Sequence, residues 1–121
     1  QQVFDLVNQE REAEGLSPLE WDDTLAECAA LRAEELTETF SHNRPDGSHW
    51  STLYEELGGE DTYRGENIAM GYASPKQVMN GWMNSSGHRA NILRSTYTKI
   101  GVGCYSQNGT LYWVQNFSRE N

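Results

Sequence analysis

The sequence predicts an α+β fold in which helices are laid on a small antiparallel sheet. Two observations carry this. Through the first three-quarters of the chain, apolar residues recur at helical spacing between good helix start and stop signals. The last quarter holds two β-rich runs, 100–105 and 111–117, joined through Asn108-Gly109, a dipeptide suited to a tight hairpin turn.

Val3, Phe4, Leu6 and Val7 open a first helix, expected to run through Glu14 and stop at Gly15. Leu16-Ser17-Pro18-Leu19 reads as a connector. A second helix starts near Asp22 or Asp23, either a good N-cap, and extends to about Glu38. Along it Trp21, Leu25, Cys28, Ala29, Arg32 and Leu36 share a face, while Glu27, Glu34, Glu35 and Glu38 look outward. Residues 40–50 crowd His, Asn, Pro, Asp, Gly and Ser together and read as irregular. Ser51 or Thr52 caps a short helix over 53–57, ended by Gly58-Gly59. Residues 63–72 are extended at least in part. Ser74-Pro75 starts another helix, with Val78, Met79 and Trp82, that gives out near Asn84. A short helix from Ser86 or Gly87 to about Arg94 holds His88. In the closing hairpin Val102, Cys104, Tyr112 and Val114 are expected on one buried face.

At 121 residues the chain suits one domain over 1–121, and no repeat or linker divides it. It opens on Gln1-Gln2-Val3 without an initiating Met, which reads as a domain excised from a longer protein or a processed product. Nine Lys plus Arg against 18 Asp plus Glu give a net charge of −9, which disfavours a nucleic-acid partner or anionic lipid. No apolar run approaches the ~20 residues of a membrane span. A monomer is expected. Cys28 and Cys104 fall in a helical and a strand pattern; two buried free thiols and one disulfide both remain open.

Chemistry concentrates in three segments. His42 follows an aromatic inside a Pro/Gly loop, as a metal ligand or general base, or as a loop histidine bonded to backbone. Glu66 lies in a run rich in Ile, Ala, Met and Tyr. A carboxylate there needs a partner, unless it lies on an exposed edge or accepts from turn amides. His88 falls in the first turn of its helix, where the dipole favours the neutral imidazole that coordinates metals, or where it fills a capping arrangement. Asn91 can orient one of these groups. His49 beside Trp50 reads as structural, and the acidic pairs Glu55-Glu56 and Glu60-Asp61 as solvated faces. No Gly-x-Ser-x-Gly elbow, phosphate loop or His-Glu-x-x-His helix is present. His42, Glu66 and His88 remain as a set suited to Zn²⁺ or a similar divalent cation, weakly held if only three ligands converge.

Five segments, in this order, resemble the CAP superfamily, the SCP-domain proteins that include cysteine-rich secretory, antigen 5 and pathogenesis-related proteins. They are Val7-Asn8-Gln9-Glu10-Arg11 with Gly15-Leu16 and Pro18-Leu19; Phe40-Ser41-His42 with Arg44-Pro45-Asp46-Gly47; Gly65-Glu66-Asn67-Ile68-Ala69; the run from Trp82 to Leu93; and Ile100-Gly101-Val102-Gly103. The match looks closest to the short bacterial branch. The resemblance implies an α-β-α sandwich, a small antiparallel sheet between helical layers, with an open cleft. His42 matches the family's first cleft His, Glu66 its first Glu and His88 its second His. Ser85 stands at about the place of the second Glu, a departure that weakens the expected metal site. The resemblance further implies a secreted or cell-surface protein.

The expectation that follows is an extracytoplasmic binding or interaction domain, its His42/Glu66/His88 cleft lined by Ser85 and Asn91 and able to take a divalent cation. The ligand is an unspecified polar, lipid or cell-surface molecule. A metal-assisted hydrolase of peptidase or esterase type, with catalytic candidates His42, Glu66 and His88, is the alternative reading. Lipid or sterol carriage is another, although no excess of exposed apolar residues marks a groove in the sequence.

Overall fold

The computed structural model describes residues 2–121. Helix α1 (Gln2–Ala13) ends ahead of Gly15, whose φ of +74° is the left-handed turn that glycine favours. Strand β1 (Glu20–Trp21) follows, then α2 (Asp23–Glu35), capped by the Asp22 carboxylate accepting from Leu25 N at 2.9 Å. Next come α3 (Ser51–Glu56), β2 (Tyr63–Met70) and α4 (Pro75–Met83), the last capped by Ser74 with Pro at its start. Helix α5 (Ser86–Ile92) leads into β3 (Lys99–Gln107) and β4 (Thr110–Arg119), hinged at Asn108 and Gly109, both with positive φ.

The sheet has four strands in the order β1-β3-β4-β2. Its three long strands are antiparallel, and the two-residue β1 adds parallel to β3, so the sheet is mixed. Helix α2 packs on one face, joined by Val114 and Ile68 and backed by α3. Helices α1, α4 and α5 cover the other around Trp82, Ile92, Ile100, Trp113 and Phe117. This is the expected sandwich of helix, sheet and helix.

The faces of the hairpin differ from expectation. Register pairs Gly103 with Val114 and Cys104 with Trp113, so Val114 and Tyr112 face α2, while Val102 and Cys104 share the opposite face. Gly101 and Gly103 lie directly beneath α2, where a Cβ would strike the backbone at Leu25–Ala26 and at Ala29–Ala30. Cys104 is exposed and Cys28 buried, and both thiols are free. Register thus separates the side chains that simple alternation groups together.

Two buried polar groups lock the layers. Arg11 donates to the carbonyls of Ser17 (2.8 Å), Ile92 (2.9 Å) and Arg94 (2.9 Å), which ties α1 to the carboxyl end of α5, where a cation suits the helix dipole. Asp61 accepts from Ser118 Oγ at 2.9 Å, Lys99 Nζ at 3.1 Å and the Asn121 amide at 3.2 Å, which anchors the end of β4.

Candidate functional site

The His42 loop is built on its turn residues. Asp46 Oδ1 accepts from the Ser48 amide (2.9 Å) and hydroxyl (2.6 Å), and Gly47 takes φ +91° between them. An antiparallel bridge joins Asn43 to His49, and Trp50 N donates to the His42 carbonyl at 2.9 Å. Arg44 pins the loop to two helices, donating to Glu35 at 3.0 Å on α2 and to Thr52 (3.1 Å) and Glu56 (3.0 Å) on α3. His49 bonds Ser51 Oγ through Nδ1 at 2.8 Å beside Trp50, the structural role expected of it.

Glu66 is buried on β2, and its partner is a residue that the sequence places on a helix face without marking its chemistry. Arg32, fully buried on α2, grips the carboxylate with two bonds, Nε to Oε2 at 2.9 Å and Nη2 to Oε1 at 3.0 Å. Asn116 Nδ2 donates to Oε2 at 3.0 Å, while its own Oδ1 is buried without a partner among the described residues. Burial works against the Arg32 charge, but the bonds and charge of Glu66, then of Glu35, outweigh it and raise the guanidinium pKa. The legible signal is a lone Arg on an otherwise apolar helix face.

His42 Nδ1 lies 2.9 Å from Glu66 Oε1. An ionised carboxylate only accepts, so Nδ1 is the donor, and in the neutral form of the ring the lone pair falls to Nε2. With 51% of the His42 side chain exposed, Nε2 is directed away from the buried carboxylate, towards solvent. Glu66 therefore stands behind His42 as its orienting group. Among the described residues no group of three His, Cys, Asp or Glu side chains is placed to share a metal ion. Both Glu66 oxygens are engaged by Arg32, His42 and Asn116.

His88 is held in the same manner. Its Nδ1 lies 3.0 Å from Ser85 Oγ, which is why Ser85, at the N-cap position of α5, makes no side-chain bond to the helix amides. Burial, then the charge of nearby His42, lower the His88 pKa and favour neutral imidazole. Ser85 and His88 line one groove with Phe40, Met70, Tyr72 and Trp82. Asn91 Nδ2 donates to Asn67 Oδ1 at 2.9 Å and, at 3.4 Å, to the Glu66 carbonyl. Asn67 passes the chain on to the His88 carbonyl (3.1 Å) and Gln115 (3.0 Å), so a buried amide ladder sets α5 against β2. Cys28 contributes no nucleophile. Burial, then the Glu66 charge, push its thiol up to about 12.

One histidine on a loop, backed by a buried Glu, and one on a short helix thus lie near enough for the charge of the first to bear on the second. The family model of the cysteine-rich secretory proteins, CAP, matches residues 4–117. The chain belongs to the CAP family. Two relatives from Bacillus subtilis (strain 168), the uncharacterized protein YkwD and the uncharacterized membrane protein YlbC, are each 38% identical over 117 and 118 residues. These matches take in 95% and 96% of this chain but 45% and 33% of the relatives, so the chain spans less than half the length of either. An extracellular SCP-domain protein from Bacillus anthracis str. Ames superposes with a TM-score of 0.91 at 32% identity, covering 98% of this CAP chain and 39% of that one. An outer surface protein from Borrelia burgdorferi superposes at 0.89 with 23% identity, over 98% and 90% of the two chains, and speaks for the fold alone. No helix among the described residues is long and apolar enough to cross a membrane.

Proposed function

We propose that this CAP domain is an extracytoplasmic binding module whose cleft takes a divalent cation between the imidazoles of His42 and His88. The supporting observation is that each ring is held through Nδ1, by Glu66 and by Ser85, leaving each Nε2 without a partner among the described residues. A metal-ligating imidazole that donates its other nitrogen to a carboxylate is the usual outer-shell arrangement, and Glu66 supplies it for His42. Two neutral imidazoles suit Zn²⁺. With Ser85 in the place of a carboxylate, the remaining positions would fall to water or ligand, and the cation is held weakly. The extracytoplasmic reading draws on the extracellular relative from Bacillus anthracis.

Calorimetric titration with Zn²⁺ tests this directly. Binding at pH 7.5 should weaken at pH 5.5, because protonated imidazole cannot coordinate. It should vanish in His42→Ala and in His88→Ala. Absence of binding by the wild-type protein at pH 7.5 would end the proposal. The His42–Glu66 pair also favours a second reading, metal-assisted hydrolysis with a carboxylate-oriented imidazole as general base. Turnover of peptide or ester substrates that is lost in His42→Ala would promote it.

A further inference from the structure

The described chain has four exposed large apolar residues, and three of them, Phe40, Met70 and Tyr72, line one groove of about 320 Å³. Trp82 forms its floor. The indole N–H is already given to the Ile68 carbonyl at 3.2 Å, so that floor presents only apolar surface. Ser85 and His88 also line it. Apolar side chains gathered at a surface mark a place where something binds, and Phe40 and Met70 remain 47% and 45% exposed.

The backbone at the lip of the groove says what binds. Strand β2 is an edge strand, paired with β4 alone. Gly71 N donates to the Leu111 carbonyl at 2.9 Å, so residues 69 and 71 address β4, and Met70 turns its N–H and C=O outward. Neither Met70 group has a partner among the described residues. On either side the pairing edge is closed. The Ile68 carbonyl belongs to Trp82, and the Tyr72 carbonyl accepts from the Trp113 indole at 2.9 Å. One open backbone pair therefore coincides with the groove.

We propose that this groove binds an extended peptide, which pairs with the Met70 N–H and C=O and inserts one aromatic or aliphatic side chain between Phe40, Met70 and Tyr72. An acyl chain or sterol could cover the apolar walls but would leave the Met70 pair unmet. A peptide satisfies both, by strand addition at a sheet edge with a side-chain pocket beside it. The inference goes beyond the cation reading and does not rest on it.

The test is selection of a displayed library of random seven-residue peptides on the wild-type protein in EDTA, which removes any contribution of a metal. Selected peptides should share one aromatic or aliphatic position. Synthetic copies should bind at least tenfold more weakly to Tyr72→Ser, and to Met70→Pro, a change that an edge strand tolerates but that deletes the N–H. Should Met70→Pro fail to fold, N-methylating the peptide residue that faces Met70 removes a bond of the same backbone pair from the ligand side and should cost the same tenfold. The proposal falls if the library yields no binder. It also falls if the binders are indifferent to Tyr72→Ser and to N-methylation, or if oleate binds at this groove while no peptide does.

Discussion

Arg32 serves four acceptors at once: both Glu66 oxygens, Glu35 Oε1 and the Ser41 carbonyl, the last at 2.6 Å. It thereby joins the strand that carries Glu66 to the loop that carries His42, with neither charge of the pair exposed. Removing one partner of a buried ion pair strands the other, so Arg32→Met should cost about 3–5 kcal/mol of unfolding free energy. Changing both, Arg32→Met with Glu66→Met, should recover part of that loss, because no lone charge is then buried. Urea unfolding of the three variants decides it. If the single variant unfolds within about 1 kcal/mol of wild type, Arg32 is not what neutralises Glu66. At this scale the sequence discloses the two cleft histidines and a carboxylate that needs a partner. It does not disclose which partner. Glu66 and Arg32 are 34 positions apart, and a ligand role and an orienting role ask for the same residue types. Only the direction of the carboxylate separates the two roles.

Helix α2 approaches β3 more closely than side chains would allow, because Gly101 and Gly103 leave that face of the strand bare. The helix backbone then rests on the sheet, and this closeness lets Arg32 reach Glu66. Gly103→Ala should therefore be severe. The new methyl meets the backbone at Ala29 and Ala30, which cannot swing aside as a flexible side chain can, so the loss should reach or exceed the ~3 kcal/mol upper range of overpacking. A shift in urea midpoint equivalent to less than about 1 kcal/mol would show that α2 can ride up freely. The same glycines explain why alternation misassigns the hairpin faces. It leads through Val102 and Cys104 because the positions facing α2 carry no side chains at all. Caps, by contrast, are legible: Asp22, Ser74-Pro75 and Gly15 mark ends that the structure keeps within a residue or two. Strand β1 is invisible to such reading because two residues show no periodicity, and their parallel partner, β3, begins at Lys99.

Over the whole molecule, acidification should act through groups that folding has displaced in the same direction. The His88 pKa is lowered from its ordinary 6.5, first by burial and then by His42. The unfolded chain therefore takes up a proton that the native state resists. Stability is complete above about pH 6.5 and falls as pH drops towards the native value, since the unfolded state binds more protons across that window. Asp61 is also displaced downward: burial opposes its charge, but the bonds from Ser118, Lys99 and the Asn121 amide prevail. Its contribution is present above the ordinary 3.8 and is lost as pH falls through the lower native value. The urea midpoint, followed from pH 8 to pH 3, should accordingly be level above about 6.5, decline gently below it, and fall more steeply under about 4. His88→Gln should flatten the gentle decline and leave the steep limb, while Ser118→Ala, which lets the native Asp61 value rise back towards 3.8, should lower the midpoint above about pH 4 and make the steep limb shallower. A gentle decline that persists unchanged in His88→Gln would mean that the imidazole at the cleft is as free to take a proton as one in water. The neutral form would then have to be secured at the site by the cation itself.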